Sequence, residues 1–304
     1  DFILKNYQYY NLLEKTERYS KKQDILTTGN VLSSRLSYLF NDKAYTYCET
    51  LIENYLESGF LNNSNFNFDY LEYYKLIVGL YDIGDYSYVE HVALYVDRLN
   101  ELNINNPLEA FNQLTSCYDQ KSLYHLMTKS INDDQTLVFN PSDLSSIVDY
   151  KHYIGIYEPD ELILVQDVTR IKYSMYLRGD AYIALLEMFN ELDKELNGFL
   201  LKKAYVASDL MDHQAIGYDE FQLGLSIEVT KQNTPYDKFD ETEIAAWLEN
   251  NAYKYGYILR YPKNKASITG YEYDSHIYRY VGKELALDLY NKQITLEEYE
   301  LIKE

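Results

Sequence analysis

The chain has 304 residues, enough for two domains of ordinary size, and 46% of them are apolar, enough for a buried core. A formal net charge of −20 excludes the usual kind of nucleic-acid-binding protein, because neutralising phosphates requires clustered Lys and Arg. It also disfavours binding to an anionic membrane. No apolar run approaches the roughly 18 residues of a membrane helix, and no signal peptide follows Asp1. Asp1 is not a natural start, so we expect that an N-terminal signal or anchor is missing from this sequence.

Residues 1–138 are predicted to form an all-helical N-terminal domain. Apolar residues recur on one helical face over 44–59, 70–81 and 88–99. The segment 44–49 resembles 85–90, which suggests degenerate helical-hairpin repeats. Cys48 and Cys117 are too few for a disulfide framework, and whether they pair is left open.

Residues 139–304 are predicted to form an α+β domain with an antiparallel sheet, because helices and strands do not alternate regularly. Pro141 favours a short helix that ends at Val148, and Asp240-x-x-Glu243 predicts the start of a later helix. The other predicted helices cover 180–197, 283–291 and 296–303. The predicted extended segments cover 161–168, 199–207, 223–230, 257–260 and 271–280.

Four segments carry a resemblance to a known family. They are Gly224-Leu-Ser-Ile-Glu-Val-Thr230, the run from Trp247 to Pro262, Ile268-Thr-Gly-Tyr271 and Tyr278-Arg-Tyr-Val-Gly282. Together they resemble the VanY family of D-alanyl-D-alanine carboxypeptidases, over about residues 140–289. The resemblance implies one zinc ion bound by His, Asp and His, in S-x-H-x-x-G-x-A-x-D and E-x-W-H, with the glutamate as general base. Such a zinc ion lowers the pKa of its bound water, and the carboxylate takes the water's proton.

The matching positions in this chain depart from the family pattern. Phe221 stands at the first histidine, Glu228 at the aspartate and Ile277 at the second histidine, while Asp274 stands at the general base. Phenylalanine and isoleucine have no lone pair to offer a metal, so we expect no zinc here. Val206 replaces the arginine of the family's S-x-Y-R motif, which grips the substrate carboxylate.

A relocated metal site is the alternative. His276 neighbours the lost ligand position, but adjacent strand residues point to opposite faces. His213 begins a stretch that imitates the first motif, with Glu220 at the spacing of its aspartate. A site built from His213, Glu228, Asp274 or His276 would make the chain an active D,D- or L,D-carboxypeptidase that trims peptidoglycan stem peptides.

The leading hypothesis is a non-catalytic, cell-wall-associated protein that binds a peptidoglycan stem peptide or a protein partner. Its location is expected to be extracytoplasmic, on a bacterial surface or secreted. A third hypothesis is a structural module whose partner binds the helical domain. Glu228 and Asp274 are expected to line one cleft over an apolar floor, without a counter-charge. The predicted cleft consists of Phe221, Glu228, Ile277, Val206 and His276.

Overall fold

The structure, a computed structural model, describes residues 63–82 and 85–303. The chain divides into two compact units between Met127 and Thr128. This division precedes the sequence-based boundary, because Thr136–Leu137 already pairs with His152–Tyr153 within the second unit. The predicted helix over 44–59, its repeat segment and Cys48 lie outside the described residues. Within the described ranges, none of the helices has both the length and the apolar character needed to cross a bilayer.

The secondary-structure elements in the described residues of the first unit are all helices, as the periodicity predicts. Helix α2 buries Val89, Val92, Val96 and Leu99 along one face, the spacing of an amphipathic helix. Asn106 caps α3 by accepting a hydrogen bond from a backbone N–H in its first turn. The helices are α1 (Leu71–Ile77), α2 (Tyr88–Glu101), α3 (Pro107–Cys117) and α4 (Gln120–Thr128).

The second unit mixes helices and strands, as predicted. Its strands are β1 (Thr136–Leu137), β2 (His152–Tyr153), β3 (Leu162–Leu164), β4 (Tyr176–Arg178), β5 (Phe199–Lys203), β6 (Ser226–Lys231), β7 (Tyr257–Tyr261) and β8 (Asp274–Tyr280). Its helices are α5 (Gly179–Glu195), α6 (Glu243–Asn251), α7 (Ala266–Thr269), α8 (Lys283–Lys292) and α9 (Leu296–Lys303).

The main sheet has the strand order β5-β6-β8-β7, and every neighbouring pair is antiparallel. Ile227 and Val229 of β6 share one core cluster with Leu185 and Met188 of α5. The α+β fold class with an antiparallel sheet is therefore confirmed, and β6 and β8 are its two central strands.

Two local predictions are wrong. No helix forms between Pro141 and Val148, because the Asp143 carboxylate accepts hydrogen bonds from the Ser145 N–H at 2.8 Å and hydroxyl at 3.0 Å, which favours turns. Likewise, α6 does not begin at Asp240. Its N-cap is Thr242, whose hydroxyl oxygen accepts from the Ala245 N–H at 3.2 Å, while Asp240 lies in a preceding 3-10 turn.

Candidate functional site

Strands β6 and β8 bring together two of the positions that the motif resemblance assigns to zinc ligands. Glu228 and Ile277 are direct register partners across this antiparallel pair, so their Cβ atoms are neighbours on the sheet. Asp274 lies three residues earlier, at the start of β8, and its carboxylate accepts a hydrogen bond from the His276 backbone N–H at 2.8 Å.

Phe221 lies in a short 3-10 turn, Glu220–Leu223, that leads into β6. The side chain of Asp219 caps this turn by accepting from the Phe221 N–H at 2.9 Å. The Phe221 ring is buried. The backbone carbonyl oxygen of Phe221 accepts a hydrogen bond from the Val206 N–H at 3.3 Å. The positions of the first histidine and of the substrate-gripping arginine therefore adjoin, each with an apolar side chain.

Glu228 has a counter-charge, so the expectation that the carboxylates lack one is wrong for this residue. Lys202 Nζ lies 2.8 Å from Glu228 Oε1, and the Tyr236 hydroxyl donates to the same oxygen at 3.1 Å. Lys202 Nζ also lies 3.9 Å from the centroid of the Tyr236 ring. The sequence analysis did not single out Lys202 or Tyr236, because neither belongs to a family motif.

Tyr236 links the two acidic side chains of the cleft. Burial, followed by the negative charges of Glu228 and Asp274, raises the pKa of the Tyr236 phenol well above its ordinary value of 10. Both carboxylates therefore act on one hydroxyl group. That they line a single cleft remains a prediction.

His276 is buried and fully engaged. Its Nδ1 lies 2.6 Å from the Val229 carbonyl oxygen and its Nε2 lies 3.0 Å from the Tyr236 carbonyl oxygen. The ring stacks on Tyr236 at a centroid distance of 3.7 Å and on Phe239 at 4.5 Å. Since both nitrogens are directed at carbonyl oxygens of the same chain, neither faces a position that a metal ion could occupy.

The other candidates for a relocated metal site differ in burial and in their partners. His213 is exposed, whereas Glu220 is buried and ion-paired with Arg260. Among the residues that the structure describes, no group of three or more His, Cys, Asp or Glu side chains could hold a metal ion. At the family's own ligand positions only Glu228 has a donor atom, so these side chains do not fit a zinc ion, which needs three protein ligands.

A buried ionic network supports the turn that carries Phe221. Arg260 Nε donates to Glu220 Oε2 at 2.5 Å, and Arg260 Nη2 lies 2.6 Å from Glu297 Oε1 of α9. The Ser226 hydroxyl donates to the other oxygen of Glu220. Burial raises the pKa of Glu220, but the charges of Arg260 and Arg279 and the Ser226 hydroxyl outweigh burial and hold this pKa below its ordinary value.

Residues 175–283 match the family described as VanY: D-alanyl-D-alanine carboxypeptidase. The protein named "Putative carboxypeptidase YodJ" of Bacillus subtilis (strain 168) is 30% identical over 213 residues, which are 62% of this chain and 78% of that protein. The chain belongs to the VanY carboxypeptidase family. The resemblance found in the sequence motifs is thereby confirmed.

Two further VanY-family comparisons cover less of this chain. The D-alanyl-D-alanine carboxypeptidase of Enterococcus faecium is 41% identical over 83 residues, which are 27% of this chain and 26% of that enzyme. The LdcB LD-carboxypeptidase is 31% identical in sequence to this chain. Its structure is described as revealing the molecular basis of peptidoglycan recognition. It aligns with a TM-score of 0.50 over 56% of this chain and 91% of its own. The chain therefore has the scaffold of a zinc-dependent, peptidoglycan-related family.

Proposed function

We propose that this chain is a non-catalytic member of the VanY family that binds peptidoglycan stem peptides outside the cytoplasm without hydrolysing them. The proposal rests on the side chains at the family's metal-binding position. Phe221 and Ile277 replace both histidine ligands there, and Lys202 is paired with Glu228. A hydrolytic water has no Lewis acid to activate it among these groups. Asp274, at the general-base position, therefore has no activated water to deprotonate.

The retained scaffold supports binding in the ancestral cleft. The strands that carry the family's motifs are paired, with Glu228 opposite Ile277, and Lys202 and Tyr236 contact the Glu228 carboxylate. LdcB, the relative with a described mode of peptidoglycan recognition, aligns over nine-tenths of its length. Binding and location are carried over from the relatives as parts of this proposal, because one fold can host many functions.

Zinc content and turnover test the non-catalytic part. The purified protein, incubated with equimolar zinc and then mildly chelated, should retain no stoichiometric zinc by elemental analysis. It should release no D-alanine from tetra- or pentapeptide stem substrates, as measured by mass spectrometry. LdcB under the same conditions serves as the active control. Retained zinc together with D-alanine release would establish the alternative, an active carboxypeptidase.

Calorimetric titration with stem peptides tests the binding part. Peptides with an amidated C-terminus should bind at least as tightly as those with a free carboxylate, because Val206 replaces the arginine that grips the carboxylate in the family. Tyr236→Ala should weaken binding at least tenfold, whereas Tyr173→Ala, at a side chain that is 91% exposed, should not. No binding by the native chain, or preferred binding of the free carboxylate, would contradict the proposal. A partner protein captured through the same cleft would replace the peptide as its ligand.

A further inference from the structure

The amino group of Lys202 contacts Glu228, the one side chain at the family's ligand positions that could still donate a lone pair to a metal ion. It lies 2.8 Å from Glu228 Oε1, and the Glu228 side chain is only 14% exposed. The Tyr236 hydroxyl lies 3.1 Å from the same oxygen atom. A carboxylate that binds a dication in the family is therefore bound here by an ammonium group and a phenol of the same chain.

A β-bulge delivers Lys202 to this position. Leu201 pairs with Val229 and Lys203 pairs with Glu228, so Lys202 is an extra residue on β5. In a regular strand, neighbouring side chains point to opposite faces, but a bulge redirects the chain locally. As a result Lys203 also reaches the cleft, where its Nζ lies 3.1 Å from Asp219 Oδ2 and 3.8 Å from the Phe221 ring centroid.

An ammonium group at this distance excludes a metal ion by two physical effects. It offers donors but no lone pair, so it cannot itself be a ligand. It also repels a dication strongly at separations of a few ångströms in a partly buried site. Phe221 and Ile277 therefore account for the missing ligands, while Lys202 adds a separate obstacle.

We propose that the Lys202 ammonium stands where the family has its catalytic zinc ion, and that its role here is structural. It neutralises Glu228, holds this carboxylate against Tyr236, and keeps metal ions out even when ligands are available. This inference concerns the inside of the cleft and is independent of which molecule the cleft binds.

Zinc titration of ligand-restored chains tests the exclusion. The double variant Phe221→His/Ile277→His regains two histidines beside the native Glu228. Adding Lys202→Met to this variant should tighten zinc binding at least tenfold, as measured by competition calorimetry, because methionine keeps the side-chain length without the charge. Adding Lys194→Met instead, at an exposed pair with Glu191, should leave the zinc affinity unchanged. Equal affinity with and without Lys202, including no binding by either chain, overturns the proposal.

A double-mutant cycle in the otherwise native chain tests the structural role and needs no metal. Lys202→Met should lower the melting temperature of the native chain, because it leaves Glu228 without its cation. The same change should lower it much less in a Glu228→Gln background, where no charge remains to be neutralised. Additive shifts within the error of the measurement would show that the two residues are not coupled, and would overturn the proposal independently of the zinc titration.

Discussion

His276 takes the place of the tryptophan in the family's E-x-W-H motif, and its two ring nitrogens explain how a polar residue is tolerated there. The side chain is 4% exposed, yet Val229 and Tyr236 provide a carbonyl oxygen for each nitrogen. A buried polar ring with both nitrogens engaged stabilises the packing instead of weakening it. His276 is therefore a structural residue of the cleft wall.

Replacing this histidine tests that interpretation. His276→Phe keeps a flat ring between Tyr236 and Phe239 but removes the ring nitrogens that face the two carbonyl oxygens, so we expect a loss of about 1–3 kcal/mol in the free energy of unfolding. Urea denaturation measures this loss. The exposed His213→Phe serves as the control and should have little effect. An unchanged stability for His276→Phe would mean that the contacts of the ring nitrogens with the two carbonyl oxygens do not stabilise the fold.

Glu220 gives a second prediction at the residue scale, with a defined pH dependence. Glu220→Gln leaves the buried Arg260 with one carboxylate instead of two, and we expect it to cost about 3–5 kcal/mol at pH 7. The folded-state pKa of Glu220 lies below its ordinary value of 4.5, so the charge stabilises the native state above that value. This contribution is lost as the pH falls through the folded-state pKa.

The stability difference between the native chain and Glu220→Gln should therefore be constant above pH 5 and shrink on acidification below the ordinary pKa. Denaturant titrations at a series of pH values measure it. Glu191→Gln, in an exposed pair with Lys194, should show no comparable difference. A difference that grows as the pH falls would contradict the sign of the pKa shift.

At the scale of elements, the sequence predicts the ordered body of the second unit well and its irregularities poorly. Helix α9 has the predicted bounds, Leu296–Lys303, and β6 begins three residues after the start of its predicted segment and ends one residue after the end of it. Both have a clear apolar periodicity. The bulge at Lys202 could not be predicted, because it depends on register against β6, which no single strand encodes. The first residue predicted for α6 was wrong because Asp240 and Thr242 are both suitable N-cap residues, and the sequence does not distinguish them.

Cap substitutions distinguish these two residues directly. Thr242→Ala should cost about 0.5–2 kcal/mol, because it removes the acceptor for the Ala245 N–H. Asp240→Ala, two residues earlier on an exposed turn, should cost much less. Thermal unfolding of the two variants measures the contrast. Equal losses would place the start of the helix at the earlier residue.

At the scale of the whole molecule, a net charge of −20 sets the response to salt. Repulsion among like charges destabilises the compact state, and raising the salt concentration from about 0.01 M to 1 M shortens the screening length from roughly 30 Å to 3 Å. We expect the melting temperature to rise by about 2–4 °C, equivalent to about 1 kcal/mol. Sodium and potassium chloride should act alike in differential scanning fluorimetry. A fall in melting temperature would show that favourable ion pairs dominate instead.

The candidate site could be predicted only in part from the sequence. Motif alignment assigned Phe221, Glu228 and Ile277 to the ligand positions, and the structure brings Glu228 and Ile277 into register. Lys202 and Tyr236 could not be predicted in the same way, because they reach Glu228 from β5 and from the 3-10 turn Tyr236–Glu241 through tertiary contacts. A substitution at a motif position is visible in the sequence, whereas the side chains that contact Glu228 depend on the fold.

The pairing of Arg260 with both Glu220 and Glu297 has a consequence for biosynthesis. Glu297 leaves the ribosome well after Arg260, and at about 5–20 residues per second the interval is a few seconds. During that interval the guanidinium has one of its two carboxylates, and helix α9 is not yet available to cover it. The nascent sheet therefore waits for a later segment before the Arg260 guanidinium gains its second carboxylate.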